Sequence, residues 1–322
     1  MFVMLRVMTV AVALAACGGG GSSTGDGGGG GDAADVVDVC PATQPTPVAV
    51  SIGFVADDQY LYYYEADAWQ RRPIAGGAVE KVADAPDIDG PAVLGGPYLF
   101  YTNTTQVMRV AKTGGIPEMI GTVPDRMELA TDGTAAYVSA LVDANTNIEV
   151  WRADGTATKV TSVPAIDGFS FLRSDGTHVY WFTARGELRR VPVGGGTVEN
   201  IADSGSTHIA NIRVTGFSLT ADELVWSAGY QSFPDGNVFA IAKQAGTRRE
   251  LSHTGYPEDA DVVDGIAYVP VNSAAAYRVV AIPLAGGPRT VVGCLPERID
   301  STVATAAGVF AIADGQVSLF PL

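Results

Sequence analysis

The sequence predicts an all-β protein, a seven-bladed β-propeller whose blades have four strands each. The composition and two columns of recurring residues support this prediction. Of the 322 residues, 47% are hydrophobic and 39 are glycine, with frequent Val, Thr and Tyr. This composition is typical of short strands joined by tight turns. The chain shows no amphipathic helical period of useful length.

The first column is a short strand that opens with an aliphatic residue, usually followed by an aromatic one. It recurs about every 41 residues, at Leu61, Leu99, Ala136, Val179, Leu224, Ile266 and Val309. The second column ends the next strand, usually before a glycine pair, at Pro73, Ala111, Ala153, Pro192, Ala242, Pro283 and Pro321. Apolar segments on either side complete four strands per unit, as in a propeller blade. A ring of six blades is the alternative.

Two copies of the unit carry a resemblance to a known repeat. "FYTN" (100–103) and "VYWF" (179–182) are followed by "MRVAKTGG" and "RRVPVGGG". These segments resemble YWTD/YWTN-type propeller repeats, which occur in low-density-lipoprotein-receptor propellers and in many bacterial surface lipoproteins. The resemblance covers most of residues 50–322. It implies the propeller fold and says little about function.

The seventh unit supplies only three strands before Leu322, so we expect an N-terminal segment to supply its fourth strand and close the ring. "DVVDVC" (35–40) resembles "RTVVGC" (289–294) and is preferred over "PTPVAV" (45–50), which contains two prolines. With residues 35–40 in this position, Cys40 and Cys294 lie at equivalent strand ends of neighbouring blades. A disulfide between them would lock the closure, provided that one loop bends inward.

The N-terminal 16 residues have the pattern of an export signal. Arg6 is their only charge, and Val7 to Ala13 form an apolar stretch too short to span a bilayer. "LAAC" (14–17) resembles the lipobox of bacterial lipoproteins. That resemblance implies cleavage before Cys17 and acylation of this cysteine, and several acyl chains anchor a protein stably. An ordinary secretory signal is the alternative.

Residues 17–33 are predicted to be the lipidated cysteine and a flexible glycine-rich tether, and residues 34–322 a single propeller domain. Gly18 follows the cysteine, and in lipoproteins the absence of Asp there implies the outer membrane. The formal net charge is −15, which repels nucleic acid and anionic lipid. We therefore expect an exported, lipid-anchored monomer whose membrane contact is the anchor.

The loops that enter the innermost strands are rich in aspartate and should ring one mouth of the channel. They predict a site for a cation, such as Ca²⁺, or for a cationic partner, at Asp89, Asp167, Asp261 and Asp300. A weaker calcium-loop pattern comprises Asp143, Asn145 and Asn147. Acidic loops in an acidic protein, and ordinary turn residues, are the respective alternatives.

Tyr230 and Phe233 lie within the longest b–c insertion, "SAGYQSFPDGN" (227–237), and would anchor a protein or glycan if they are exposed. No HExxH, CxxC or GxSxG motif is present in the sequence, and we expect no convergence of His, Arg or Tyr at the mouth. The sequence therefore predicts a surface-tethered, non-enzymatic binding module of the cell envelope. The alternatives are a propeller lyase or hydrolase with a cation at the channel mouth, and a purely structural envelope module.

Overall fold

The computed structural model describes residues 40–41, 45–48, 54–143, 146–203, 212–230, 236–244, 246–273 and 276–322. These residues belong to one compact unit, Val36–Leu322. They form seven antiparallel sheets arranged as the blades of a ring, six with four strands and one with an additional short strand. The prediction of a seven-bladed β-propeller is confirmed, and the six-bladed alternative is wrong.

Each blade runs from an innermost strand a to an outermost strand d. The a strands of blades 1–7 are β2 (Phe54–Ala56), β6 (Ala92–Gly95), β10 (Arg126–Thr131), β14 (Ser170–Ser174), β18 (Ile212–Leu219), β23 (Asp261–Val263) and β27 (Ile299–Thr305). The b strands are β3 (Tyr60–Glu65), β7 (Tyr98–Asn103), β11 (Ala136–Val142), β15 (His178–Phe182), β19 (Glu223–Tyr230), β24 (Ile266–Ser273) and β28 (Gly308–Ala313).

The c strands are β4 (Ala68–Pro73), β8 (Gln106–Ala111), β12 (Asn147–Ala153), β16 (Glu187–Pro192), β20 (Gly236–Ala242), β25 (Ala276–Pro283) and β29 (Gln316–Phe320). The d strands of blades 1–6 are β5 (Glu80–Asp84), β9 (Glu118–Thr122), β13 (Ala157–Pro164), β17 (Glu199–Asp203), β21 (Arg249–Thr254) and β26 (Thr290–Leu295). Strand β22 (Tyr256–Pro257) also pairs with β24, and a 3-10 turn covers Ala165–Asp167.

Blade 7 takes its d strand from the N-terminal side of the ring, as expected, but from a different segment. Strand β1 (Thr46–Val48) pairs antiparallel with β29, with Pro47 opposite Ser318. The expectation that residues 35–40 close the ring is wrong. A d strand has a neighbour on one side only, so a proline without an N–H group is tolerated there. The prolines of "PTPVAV" therefore do not exclude this segment.

A disulfide joins Cys40 to Cys294, with the two Cα atoms 5.7 Å apart. Cys294 lies on β26, the outer strand of blade 6, whereas Cys40 precedes the closing strand β1. The bridge therefore attaches the segment that leads into β1 to the blade next to it. It closes a loop across a sequence separation of 254 residues.

The hydrophobic core lies between neighbouring blades. The largest fully buried side chains are mostly aromatics of the b strands, among them Trp181, Trp226 and Tyr101. Phe182 of blade 4 packs edge-on against Phe217 of blade 5, with ring centroids 5.2 Å apart. The recurring aromatics of the sequence therefore hold one blade against the next. Membership of the YWTD type stays a prediction.

A polar contact between blades accompanies this packing. In blade 1 the Asp57 carboxylate accepts the Tyr60 backbone N–H at 2.9 Å and the Tyr62 hydroxyl at 3.2 Å. Lys112 of blade 2 donates to the same carboxylate at 3.1 Å. Arg71 completes the contact, because its Nη1 donates to the Lys112 carbonyl at 2.8 Å.

The same contact recurs between blades 4 and 5. Asp175 accepts the Tyr180 hydroxyl at 2.9 Å and pairs with Lys243 at 3.2 Å. Arg190 donates to the Lys243 carbonyl at 2.7 Å. Burial would raise the pKa of Asp175, but hydrogen bonds from the His178 and Thr177 backbones and from two hydroxyls outweigh it, so its pKa lies well below its usual range.

Candidate binding site in the central channel

The a strands enclose a cavity of about 340 Å³ in the central channel. Six of the seven blades contribute residues to its wall. The wall is formed by Val55, Ala56, Val93, Leu94, Arg173, Ser218, Asp259, Ala260, Asp261, Thr302 and Val303. Charged and polar residues come from blades 4 to 7, and blades 1 and 2 contribute only apolar residues. The cavity therefore has one polar side and one apolar side.

Two aspartates of blade 6 dominate the polar side. Asp261 accepts the backbone N–H groups of Val262 at 2.9 Å and Ala304 at 2.8 Å, and the Ser218 hydroxyl at 3.2 Å. Asp259 accepts the backbone N–H of Ala260 at 2.8 Å. Both residues are partly exposed towards the channel. Main-chain donors from blades 6 and 7 thus fix the orientation of the Asp261 carboxylate.

A glycine on the neighbouring blade lets these aspartates approach the channel. Strand β18 has a bulge between Val214 and Gly216. A Cβ atom on Gly216 would lie 2.2 Å from the Ala260 nitrogen and 2.4 Å from the Asp259 carbonyl carbon. Because those are backbone atoms, they could move away only by shifting the chain. Gly216 therefore allows the backbone of Asp259 and Ala260 to approach strand β18 closely, and this approach determines the position of Asp259 and Asp261 in the channel.

Arg173 of strand β14 faces the same cavity. A bulge between Ser170 and Arg173 interrupts its strand, and Phe171 adopts a left-handed backbone with φ 61°. Bulges re-aim the side chains that follow them. Arg173 Nη1 donates to the Leu172 carbonyl at 2.9 Å. No ion pair within 4.0 Å joins Arg173 to a carboxylate of the described residues.

Glu128 of strand β10 adds a third carboxyl group near Arg173. Burial raises the pKa of Glu128, while Arg173 and the Phe171 backbone N–H lower it less strongly. Burial and the neighbouring charge of Asp261 raise the pKa of Asp259 to about 6. Burial also raises the pKa of Asp261, against hydrogen bonds from Ala304 and Val262. The single guanidinium of Arg173 therefore does not compensate the three carboxyl groups.

Thr302 contributes a buried hydroxyl to this wall. The residue is 4% exposed, and its Oγ1 has no hydrogen-bond partner. Its backbone N–H lies 3.5 Å from an Asp259 carboxylate oxygen. A buried hydroxyl without a partner is costly, and this cost adds to that of the charged groups on the same wall.

The structure does not gather the four aspartates expected at the mouth into one ring. Asp167 pairs with Arg189 at 3.0 Å, and Asp89 accepts the Thr104 backbone N–H at 2.8 Å. Asp300 is exposed on β27. Of these four aspartates, only Asp261 lines the channel cavity, where it stands beside Asp259. The mouth as a cation site stays a prediction with weaker geometric support than the channel.

The remaining candidates lie on turns or outside the described residues. Asp143 is in the b–c turn of blade 3, where its carboxylate accepts the Asn147 side-chain amide at 3.0 Å. Asn145, Phe233 and Cys17 lie outside the described residues, and Tyr230 is the last residue of β19. Across the described ranges, no group of three His, Cys, Asp or Glu side chains could hold a metal ion. No helix in those ranges is long and apolar enough to cross a bilayer.

Sequence reasoning missed Arg173, Glu128 and Thr302. Arg173 lies on the channel wall, whereas the expectation that His, Arg and Tyr do not converge at the mouth stays a prediction. The alternation of strand β14 predicts no particular direction for Arg173, because the bulge between Ser170 and Arg173 shifts the register. The sequence does offer one signal for these residues, because Glu128 and Arg173 are charged residues on the a strands, which are otherwise rich in apolar residues.

Comparisons with known proteins support the fold. No known protein family matches the sequence, and neither does any curated protein. The structure is similar to an oligogalacturonate lyase from Vibrio parahaemolyticus, with a TM-score of 0.64, 9% identity and coverage of 88% of this chain and 92% of that chain. It is also similar to the computationally designed Ika8 protein, with a TM-score of 0.54, 12% identity and coverage of 87% and 97%. At such identities the likeness shows the propeller fold alone.

Proposed function

We propose that this chain is a lipid-anchored β-propeller of the bacterial cell envelope that binds a ligand in its central channel without catalysing a reaction. The observation that carries the proposal is the polar side of the channel cavity. It presents the guanidinium of Arg173 without an ion pair, and it presents the carboxylates of Asp259 and Asp261. Burying such charges without compensation costs stability, which a bound ligand would return.

The alternatives explain this cavity less well. A purely structural module would gain from an apolar channel, because well-packed hydrophobic residues commonly match or exceed buried charges in stability. A lyase or hydrolase could use Asp259, whose raised pKa suits proton transfer, and turnover of an envelope saccharide by the full chain would favour that alternative. The single hydroxyl proton of Ser218 lies between the Ala260 carbonyl at 2.9 Å and the Asp261 carboxylate at 3.2 Å, which fits a positioning role.

The anchor belongs to the same proposal. Acylated Cys17 would hold the protein in the outer membrane, and the glycine-rich segment 18–31 would keep the propeller clear of the lipid headgroups. The net charge of −15 disfavours nucleic acid as a partner, and the propeller would act as a monomer. In cells, Cys17→Ser should abolish incorporation of labelled palmitate and move the protein from the membrane fraction to the soluble fraction. Unchanged fractionation would contradict the anchor.

Native mass spectrometry tests the binding function. The full chain is solubilised in detergent, incubated with envelope extract and dialysed, as wild type, as Arg173→Met and as Arg185→Met. Arg185 is exposed on the b–c turn of the same blade and serves as the matched control. We expect wild type and Arg185→Met to retain added mass that Arg173→Met loses. Equal retention by all three proteins, or none by any of them, would refute binding in the channel.

A further inference from the structure

We propose that the channel cavity binds a small zwitterion, an α-amino acid with an apolar side chain. Its carboxylate would lie at Arg173 and its ammonium group at Asp259 and Asp261. This inference rests on the proposed binding function and names the class of ligand. Two features of the cavity lead to it: opposite charges that form no ion pair with each other, and an apolar wall on the side away from the aspartates.

The charges of the cavity require both signs in the ligand. Arg173 forms no ion pair within 4.0 Å among the described residues, although its charge partly offsets the effect of burial on the pKa of Asp259, Asp261 and Glu128. A simple cation would satisfy the aspartates and repel the guanidinium. A simple anion would do the opposite. A molecule that carries both charges a few ångströms apart would satisfy both sides.

Arg173 is suited to a ligand carboxylate. A guanidinium has five N–H donors in a planar fork that matches the two oxygens of a carboxylate. Only one donor, on Nη1, is engaged, by the Leu172 carbonyl. The strand bulge and the left-handed backbone of Phe171 hold Arg173 at the cavity wall, so the guanidinium is preorganised rather than recruited from solvent.

The opposite end of the polar side is suited to an ammonium group, which has three donors. A carboxylate offers about four lone-pair sites, and the main-chain donors leave acceptor capacity on Asp259 in particular. Asp261 keeps lone pairs beyond those that accept the Val262 and Ala304 N–H groups. The two carboxylates together therefore offer enough acceptors for the three ammonium protons.

The apolar side and the volume of the cavity limit the rest of the ligand. Val55, Val93 and Leu94 of blades 1 and 2 line the cavity on the side away from the aspartates, so an aliphatic side chain would contact them. The volume of about 340 Å³ is at the lower end of the range for small-molecule sites. This size favours a single amino acid over an oligosaccharide or a folded peptide segment.

Calorimetric titration of the full chain in detergent at neutral pH tests the proposal. Three probes share one aliphatic group: L-leucine carries both charges, 3-methylbutylamine only the ammonium, and 4-methylpentanoate only the carboxylate. We expect L-leucine to bind and each analogue to bind about 10- to 100-fold more weakly, because each loses one charged hydrogen-bonded contact. An amine that binds as tightly as L-leucine would overturn the proposal in favour of a simple cation site.

Two variants separate the contacts. Arg173→Met should weaken L-leucine binding about 10- to 100-fold and leave the binding of 3-methylbutylamine unchanged or stronger. The control Arg185→Met should change neither, and circular dichroism checks that both variants fold. If Arg173→Met binds L-leucine like wild type, or if none of the twenty L-amino acids binds, the ligand class is wrong. In that case, mass retained from envelope extract would still support binding in the channel, and its absence would refute both proposals.

Discussion

The substitution Asp259→Asn should make the protein more stable at neutral pH and remove a pH dependence from its unfolding. Asp259 lies at the channel cavity with Asp261 as its nearest like charge and Arg173 as the facing cation. An asparagine at this position still accepts the Ala260 backbone N–H through its side-chain carbonyl and carries no charge. The substitution therefore isolates the cost of ionising this one carboxyl group in the channel.

The magnitude follows from the pKa of Asp259. Its folded-state pKa is raised from the usual 3.8 to about 6, and each pKa unit corresponds to about 1.4 kcal/mol. Keeping the carboxylate ionised in the folded state therefore costs about 3 kcal/mol. Because the folded-state pKa is the higher one, protonation of Asp259 stabilises the folded state. This stabilisation is fully present below the unfolded-state pKa of 3.8 and is lost as the pH rises through about 6.

Urea unfolding at half-unit steps from pH 4 to pH 8 measures the effect on protein freed of ligand by dialysis. The free energy of unfolding of Asp259→Asn, relative to wild type, should rise by about 2.4 kcal/mol between pH 4 and pH 7, because pH 4 already lies just above the unfolded-state pKa of 3.8. The control Asp314→Asn, at an exposed turn, should show no such rise. A difference between Asp259→Asn and wild type that stays constant with pH would refute the burial of Asp259 described for the channel.

Three further predictions concern the ring itself. Deleting residues 46–48 should lower the melting temperature and broaden the transition in circular dichroism, because β29 loses its outer partner. Replacing Cys40 and Cys294 together with serine should reduce the free energy of unfolding by up to about 5 kcal/mol, the chain-entropy value for so long a loop. Asp175→Ala should cost about 3 kcal/mol at neutral pH, since the Lys243 ammonium loses its partner. That loss should shrink below about pH 4, because the lowered pKa of Asp175 makes its contribution disappear as the pH falls.

Matched controls accompany these variants. Deleting glycine-rich residues 18–31 should leave the melting temperature unchanged, whereas an equal effect of both deletions would contradict the assignment of β1. A reductant should not change the free energy of unfolding of the double serine variant. In wild type, the reductant should lower the free energy of unfolding by the same amount as the double substitution does. For Asp175→Ala, a destabilisation that does not change between pH 7 and pH 3 would contradict the ion pair with Lys243.

Most of the fold could be predicted from the sequence because its signals are local and repeated. Each b strand begins within one residue of an aliphatic position in the first column, for example Leu61 in β3 and Val309 in β28. The closing strand could not be predicted in the same way. The similarity between "DVVDVC" and "RTVVGC" and the two prolines of "PTPVAV" both favoured residues 35–40, yet a proline such as Pro47 is acceptable on an edge strand.

The channel site was mostly beyond sequence reasoning. Loop position alone suggested that aspartates ring the mouth, and of the four residues named there Asp261 lies on the wall of the channel cavity. It could not show that Asp167 is neutralised by Arg189, because their contact depends on how the d–a loop folds back on strand c. Nor could it show the direction of Arg173, which depends on a bulge and on one left-handed residue, Phe171. Such irregularities leave no periodic signal.

A crystal structure grown with L-leucine would test the central claim most directly. The account predicts one leucine in the channel, its carboxylate within hydrogen-bond distance of Arg173 and its ammonium group between Asp259 and Asp261. Its side chain should contact Val93 and Leu94. A channel that holds only water at saturating L-leucine, or leucine bound elsewhere on the ring, would contradict the claim.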